Sequence, residues 1–315
     1  LEDKERVLPA FVDSLFLGIE VSEKLEEVDF SVIEKLLCEF PCDMNSHRAS
    51  YFCGIVEKIN NINWSSAVIE QLINIALNHC NPELDKPNVT NLEDKEMKSC
   101  DMLHSNALNC VRGNAARAIG HLLWEDRELF LYFKDIIDGL TKDENPAVRF
   151  ASLYALWPSY NIDREWAGEK IICLYESDIR MASFHDSRNM FFLLYPKYKE
   201  RIINITEQCF ESADKELVEM GGYAVCEFYI RQNEFETIVT SVESRSEEQI
   251  KAILDMAVIY LKVDDYREVA KDIILTYKSI DMDVEFPLSK MFYDKYVDVK
   301  NDRDFLREFM KTKVS

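Results

Sequence analysis

The chain is short of the residues that interrupt secondary structure, with Gly 8 and Pro 8 among 315 residues. A β-sandwich or barrel needs many tight turns, and a doubly wound sheet needs glycine-rich βα loops, so this scarcity points to long helices. No apolar run approaches the roughly 18 residues that a spanning helix requires. No basic stretch precedes an apolar one at the start, so no signal peptide is visible and no membrane association is expected. Basic residues are also in deficit: Lys+Arg 37 against Asp+Glu 58 gives a formal net charge of −21. Such a surface repels phosphate backbones and argues against broad nucleic-acid binding. Gly-Lys-Ser/Thr and Gly-x-Gly-x-x-Gly are both missing, so the usual phosphate cradle has no sequence support. His-Glu-x-x-His and Gly-x-Ser-x-Gly are missing too, which leaves zincin and nucleophile-elbow chemistry without their signatures. No cofactor is expected.

What is present is a composition 47% hydrophobic and 30% charged, enough for one large domain or two ordinary ones. Nine cysteines, odd in number and irregular in spacing, several inside apolar runs such as Ile172-Cys173-Leu174, read as reduced, buried thiols of a cytoplasmic protein. Cys38, Cys42 and His47 lie close together, as do Cys100, His104 and Cys110. Neither set has the paired Cys-x-x-Cys spacing of a zinc site, so ordinary thiols are expected. Asp281, Asp283 and Glu285 lack the glycine that a calcium loop needs at its turn. The first residues are Leu1-Glu2-Asp3-Lys4, without Met, which fits a piece of a longer polypeptide.

Helical periodicity dominates. Ile33, Leu36, Leu37 and Phe40 fall on one face after Asp29, a natural N-cap, and Val68, Leu72, Ile75 and Ala76 repeat the theme. Asn145-Pro146 reads as an N-cap with Pro at the first helical position. Ser246 with Gln249 matches a capping box, and Asp163 caps the stretch holding Trp166, Ile171 and Leu174. The spacing predicts roughly fourteen to sixteen helices of ordinary length. It is interrupted by a polar, Pro-broken stretch from Asn81, read as a long mobile loop. The resulting segmentation is 1–80 helical repeats, 81–104 polar loop, and 105–315 further repeats continuing the same array.

The strongest feature is an internal repeat. Val111-Arg112, with Ala115 three and Ala118 six residues after the Arg, aligns with Val148-Arg149, Ser152 and Ala155, and the two Arg residues are 37 apart. Fainter copies sit at Arg48, Arg188, Glu219 and Lys251. Periods of about 30–45 residues signal stacked helix pairs, because one pair cannot bury its apolar face alone. The small residues let neighbouring inner helices approach closely.

Asp143-Glu144-Asn145-Pro146-Ala147-Val148-Arg149 running into Ser152, Ala155 and Leu156 resembles the HEAT-repeat family, closely over about 105–157. The resemblance implies an all-α solenoid of stacked antiparallel helix pairs, TPR-like toward the C-terminus, in which Asp and Arg hydrogen-bond between adjacent repeats. The unit at Arg112 has Asn106 where Asp would fall. A second resemblance, carried by Val111–Ala116, Asp143–Arg149 and Met220-Gly221-Gly222-Tyr223-Ala224, is to the C-terminal helical region of large bacterial STAND-type NTPases, several of them acting in antiphage defence. It implies a sensor module whose NTPase lies elsewhere in the polypeptide.

Two readings stand for the aromatic cluster that includes Trp157, Tyr160, Trp166 and Phe184: inter-repeat core, or an exposed interaction patch. Asp143, Pro146, Val148, Arg149, Val111 and Arg112 are the structural repeat positions. The expected function is non-catalytic recognition of a protein partner or ligand. The rivals are a HEAT-like DNA-processing enzyme of the alkylpurine glycosylase type, with Arg112, Arg117, Arg149 and Arg188 as a basic stripe, and a stand-alone adaptor.

Overall fold

Local chemistry starts the helices where the sequence places the caps. Asp29 accepts from Ser31 N at 3.0 Å, and Asn145 accepts from Ala147 N at 2.9 Å with Pro146 as the first helical residue. Asp163 accepts from Trp166 N at 3.1 Å. Ser246 and Gln249 exchange both bonds of the capping box. Each cap satisfies an N–H that the first helical turn leaves without an intrahelical partner.

A computed structural model describes residues 2–22, 29–40, 42, 46–60, 63–84, 86–242, 245–278, 280 and 285–311. The chain is 75% helical, and no strand occurs among the described residues, which places it in the all-α class. Of the calcium-like triplet, Asp281 and Asp283 lie outside the described residues.

Two compact units emerge, Leu1–Met181 and Ala182–Ser315, so the division falls within the stretch that the sequence reads as one array from 105 onward. The first unit contains α1 (Glu2–Glu20), α2 (Phe30–Glu39), α3 (Ser46–Lys58), α4 (Ser66–Asn78), α5 (Cys100–Asn109), α6 (Val111–Glu125), α7 (Phe130–Thr141), α8 (Pro146–Tyr160) and α9 (Arg164–Ser177). Contacts run along α1, α3, α6 and α8 in one series and along α2, α4, α7 and α9 in another. The two series are tied together where α4 meets α6 and where α7 and α9 meet α8. Ala115, Ala118, Ser152 and Ala155, the small residues of the repeat, are fully buried. Gly120 is required by close approach: a Cβ there would collide with the Tyr154 carbonyl oxygen on α8.

The second unit contains α10 (Ser187–Phe210), α11 (Lys215–Gln232), α12 (Glu236–Thr240), α13 (Glu247–Tyr260), α14 (Arg267–Thr276), α15 (Glu285–Tyr293) and α16 (Arg303–Met310). Helix α10 is kinked at Tyr198 (φ −123°, ψ 35°), just after Pro196, whose ring removes a ladder donor. Helix α13 is the centre, packing on α11, α14 and α15, with Ile250, Ile253, Leu254 and Ala257 buried. Tyr277 is sealed into this core with its hydroxyl donating to Val239 O at 2.8 Å. Burial pushes its phenol up to about 12.

None of the nine cysteines is in a disulfide. Six are buried, but Cys173 is exposed on α9, so its apolar neighbours in sequence were a poor guide to its own direction. In a helix, adjacent residues point about 100° apart, and Ile172 and Leu174 turn inward while Cys173 turns out.

Candidate functional site

The repeat residues converge on one polar node in the first unit, built around Arg112. Helix α6 begins at Val111 with no side-chain cap from Cys110. Its first donors are met from far along the chain: Val111 N donates to Asn81 Oδ1 at 2.9 Å and Arg112 N to Asn81 O at 3.2 Å. Asn81 is itself fixed, its N–H donating to His79 Nδ1 at 3.0 Å and its Nδ2 to Asn88 Oδ1 at 2.7 Å.

The same segment is held elsewhere by two more asparagines. Asn106, 1% exposed, accepts from Asn88 N at 2.5 Å and Val89 N at 2.8 Å, and donates to Val89 O at 2.9 Å and Met102 O at 2.8 Å. Its amide is therefore fully satisfied, as burial demands. Asn145 donates to Glu83 O at 2.9 Å and Lys86 O at 3.0 Å while capping α8. The stretch expected as a mobile loop is pinned at many points along its length. Asn106, where the HEAT pattern has Asp, serves here as the loop's anchor.

Arg112 is 6% exposed and spends its guanidinium on four bonds. Nε and Nη2 grip Asp143 at 3.1 and 2.9 Å, and Nη1 donates to His79 O and Pro82 O, both at 2.8 Å. A two-pronged Arg–carboxylate pair of this kind is both strong and directional. Asp143 stands in the turn between α7 and α8, so the pair joins the start of α6 to the start of the next helix pair. Arg149 does not reach onward in the same way; its Nη1 donates to Asp143 O at 2.7 Å and Glu144 O at 3.0 Å within its own turn. Val111 and Val148 are buried beneath these polar bonds. The faint copy at Arg48 makes an analogous long-range pair, Nε to Asp13 Oδ1 at 2.7 Å.

A cleft of about 740 Å³ opens beside the node, lined by His79, Leu84, Arg112, Lys142 and Asp143 among others. Burial, reinforced by the Arg112 charge, pulls the His79 pKa below its ordinary value, so the ring is held neutral. With Nδ1 accepting from Asn81, the proton sits on Nε2. The node's guanidinium and amide groups are spent within the chain, so the arrangement fixes helix pairs and loop against each other; it is a rigid frame.

The four aromatics of the candidate interaction patch fall in both units, three in the first and Phe184 in the second. Trp157, Tyr160 and Trp166 are half-buried. Trp166 meets the Phe130 ring edge-on at 5.5 Å, and Lys134 Nζ sits 5.2 Å from its centroid while bonding Asp163 at 2.9 Å. Phe184 is only 4% exposed and belongs to the second unit. Large apolar groups that are open to solvent in the first unit include Trp124 (52%), Leu131 (84%) and Tyr132 (69%), around the turn from α6 to α7. Their signal in the sequence is the run of carboxylates around them, which marks the turn as solvated.

Two thiols of the two Cys/His sets bond backbone carbonyls. Cys42 Sγ donates to Arg48 O and Cys110 Sγ to Ala107 O, each at 3.7 Å. The His104 ring packs on Phe150 at 4.6 Å. Among the described residues no group of three His, Cys, Asp or Glu is arranged to hold a metal, and no helix is long and apolar enough to cross a membrane. No protein-family model, no curated protein and no solved structure matches the chain.

Proposed function

We propose that the chain is a HEAT-like helical-repeat recognition module, non-catalytic in itself, whose stacked helix pairs present a surface to a protein partner. The observation that carries this reading is the Arg112–Asp143 pair, which links successive helix pairs through residues at the positions where the internal repeat aligns. Support comes from the two series of helix contacts in the first unit and from the buried small residues between α6 and α8. The resemblance over Val111–Ala116, Asp143–Arg149 and Met220–Ala224 favours a finer version, in which the module senses a ligand or partner for a larger bacterial defence-type NTPase.

The fate of the arginines weighs against the DNA-enzyme reading. Arg112 is taken by Asp143, Arg117 by both oxygens of Glu57 at 2.7 Å, and Arg188 by Glu227 at 3.5 Å. Three of the four arginines of such a stripe are paired with carboxylates within the fold, which leaves less for a phosphate backbone, and the net charge of −21 adds repulsion. An immunoblot of cells that make the protein tests the finer version: a band far above 36.8 kDa is expected, and a band near that mass rejects it. A mobility shift with DNA at low salt would reject the recognition reading in favour of the DNA-processing one.

A further inference from the structure

The tie between the Asn81 segment and the start of α6 passes through one titratable ring. His79 directly follows the last turn of α4 and is 4% exposed. Its Nδ1 accepts from Asn81 N at 3.0 Å, and its own carbonyl accepts from Arg112 Nη1 at 2.8 Å. Asn81 in turn caps α6, its side-chain and backbone oxygens accepting from Val111 N and Arg112 N, and it holds Asn88 through Nδ2. The ring therefore orients the residue that supplies the first turn of α6 with its acceptors.

The bond from Asn81 N exists in one protonation state only. A neutral imidazole has one bare nitrogen that accepts, whereas an imidazolium has two N–H donors and no acceptor. A proton taken from solvent at Nδ1 sets one N–H against another across the 3.0 Å that now holds a hydrogen bond. Moving the proton round the ring gives no relief, because Nε2 already carries one and has no partner of its own. The surrounding charges do not rescue the cation. Arg112 on α6, Lys142, Asp143 and Glu144 in the turn from α7 to α8, and Glu83 and Lys86 in the segment itself line the adjoining cleft with the Cys80 thiol. Three cations stand among three carboxylates there, Asp143 is gripped by Arg112, and no carboxylate bonds the ring. Burial pulls the His79 pKa below its ordinary value, in keeping with this geometry.

We infer that His79 is an acid-sensitive latch: protonation of the ring breaks its bond from Asn81 and releases residues 79–83 from the start of α6. Asn106 keeps its hold on Asn88 and Val89, so the release is local. It uncovers the N–H groups of Val111 and Arg112 and frees the Arg112 guanidinium from the His79 and Pro82 carbonyls, which changes the surface at the cleft. The sign follows from linkage. In the released segment the ring returns to its ordinary pKa of about 6.5, above that of the latched ring, so acid favours release. Below pH ~6.5 the open fraction rises by up to about tenfold per pH unit until the latched ring itself titrates. The latch does not depend on the protein-recognition reading and survives its failure.

The test is amide hydrogen exchange of the full chain between about pH 7.5 and about pH 5, each rate divided by the intrinsic rate at that pH. Corrected exchange at Val111 and Arg112 should rise several-fold to about tenfold per pH unit below pH ~6.5, while amides of 150–156 on α8 and of 215–260 keep their protection. His79→Gln, whose side-chain oxygen can accept from Asn81 N without titrating, should remove the pH dependence. An NMR titration of the wild-type imidazole, which needs no variant, should show Nδ1 bare at neutral pH and a pKa below 6.5. Flat protection at Val111 and Arg112, an equal rise in His79→Gln, equal loss of protection across α8, or an Nδ1 that carries a proton at neutral pH overturns the latch.

Discussion

Removing the Arg112 side chain tests how much of the first unit depends on a single polar node. Arg112→Ala deletes both bonds to Asp143 and the bonds to the His79 and Pro82 carbonyls. Breaking a buried ion pair by removing one partner costs about 3–5 kcal/mol, because the other charge stays behind uncompensated. The Asp143 side chain is 16% exposed and keeps its bond from Asn145 N, so water and backbone recover part of the loss and the lower end, about 3 kcal/mol, applies. Arg112→Lys keeps the charge but not the fork and should lose about half as much. Two compact units need not unfold together, so a single denaturation midpoint is a poor reporter. Amide hydrogen exchange is better. The N–H groups of Val111 and Arg112 lean on Asn81, whose segment Arg112 holds down. Their exchange should accelerate about a hundred-fold, equivalent to that 3 kcal/mol, while amides of 215–260 stay unchanged. Exchange at Val111 and Arg112 within about three-fold of wild type would refute the argument that the node pins the loop to α6.

Three further outcomes are expected. Gly120→Ala forces a Cβ into the Tyr154 carbonyl and should destabilise the first unit by about 1–3 kcal/mol, whereas Gly18→Ala on α1, with open space around it, should stabilise by about 0.5–1 kcal/mol; thermal melts of the two variants check this. Burial alone would raise the Asp302 pKa, but the Asp298 N–H, Arg267 and Lys271 together hold it down at about 2. Because the folded pKa lies below the unfolded one, its contribution of about 2 kcal/mol is present above pH ~4 and is lost as pH falls toward 2. Asp302→Asn should flatten the acid dependence of the second unit's stability over that window, read by circular dichroism. His79 follows the same sign for a different reason: its folded pKa is lowered, so the first unit should be most stable above pH ~6.5 and weaken as acid protonates the ring, and His79→Gln should blunt this dependence in a pH series of urea melts.

Features governed by neighbours in sequence were legible. Asp29, Asn145-Pro146, Asp163 and the Ser246–Gln249 box each satisfy donors within three residues, so composition and spacing reveal them. Repeat alignment led to Arg112 and Asp143, which pair, although Arg149 at the aligned position bonds only within its own turn. Bonds spanning unrelated stretches were not legible. Asn81, Asn88 and Asn106 look like ordinary loop and helix polar residues until the fold brings 79–89 against the ends of α5 and α6. For the aromatic cluster the sequence left core and interaction patch both open, because counting aromatics along the chain says nothing of which rings sit over a lysine, as Trp166 does, or are buried, as Phe184 is.

Protein recognition is the central claim, and in-cell chemical cross-linking of the full chain followed by mass spectrometry tests it most directly. The account predicts discrete protein adducts. Absence of any protein adduct, together with catalytic turnover by the isolated chain, would contradict it.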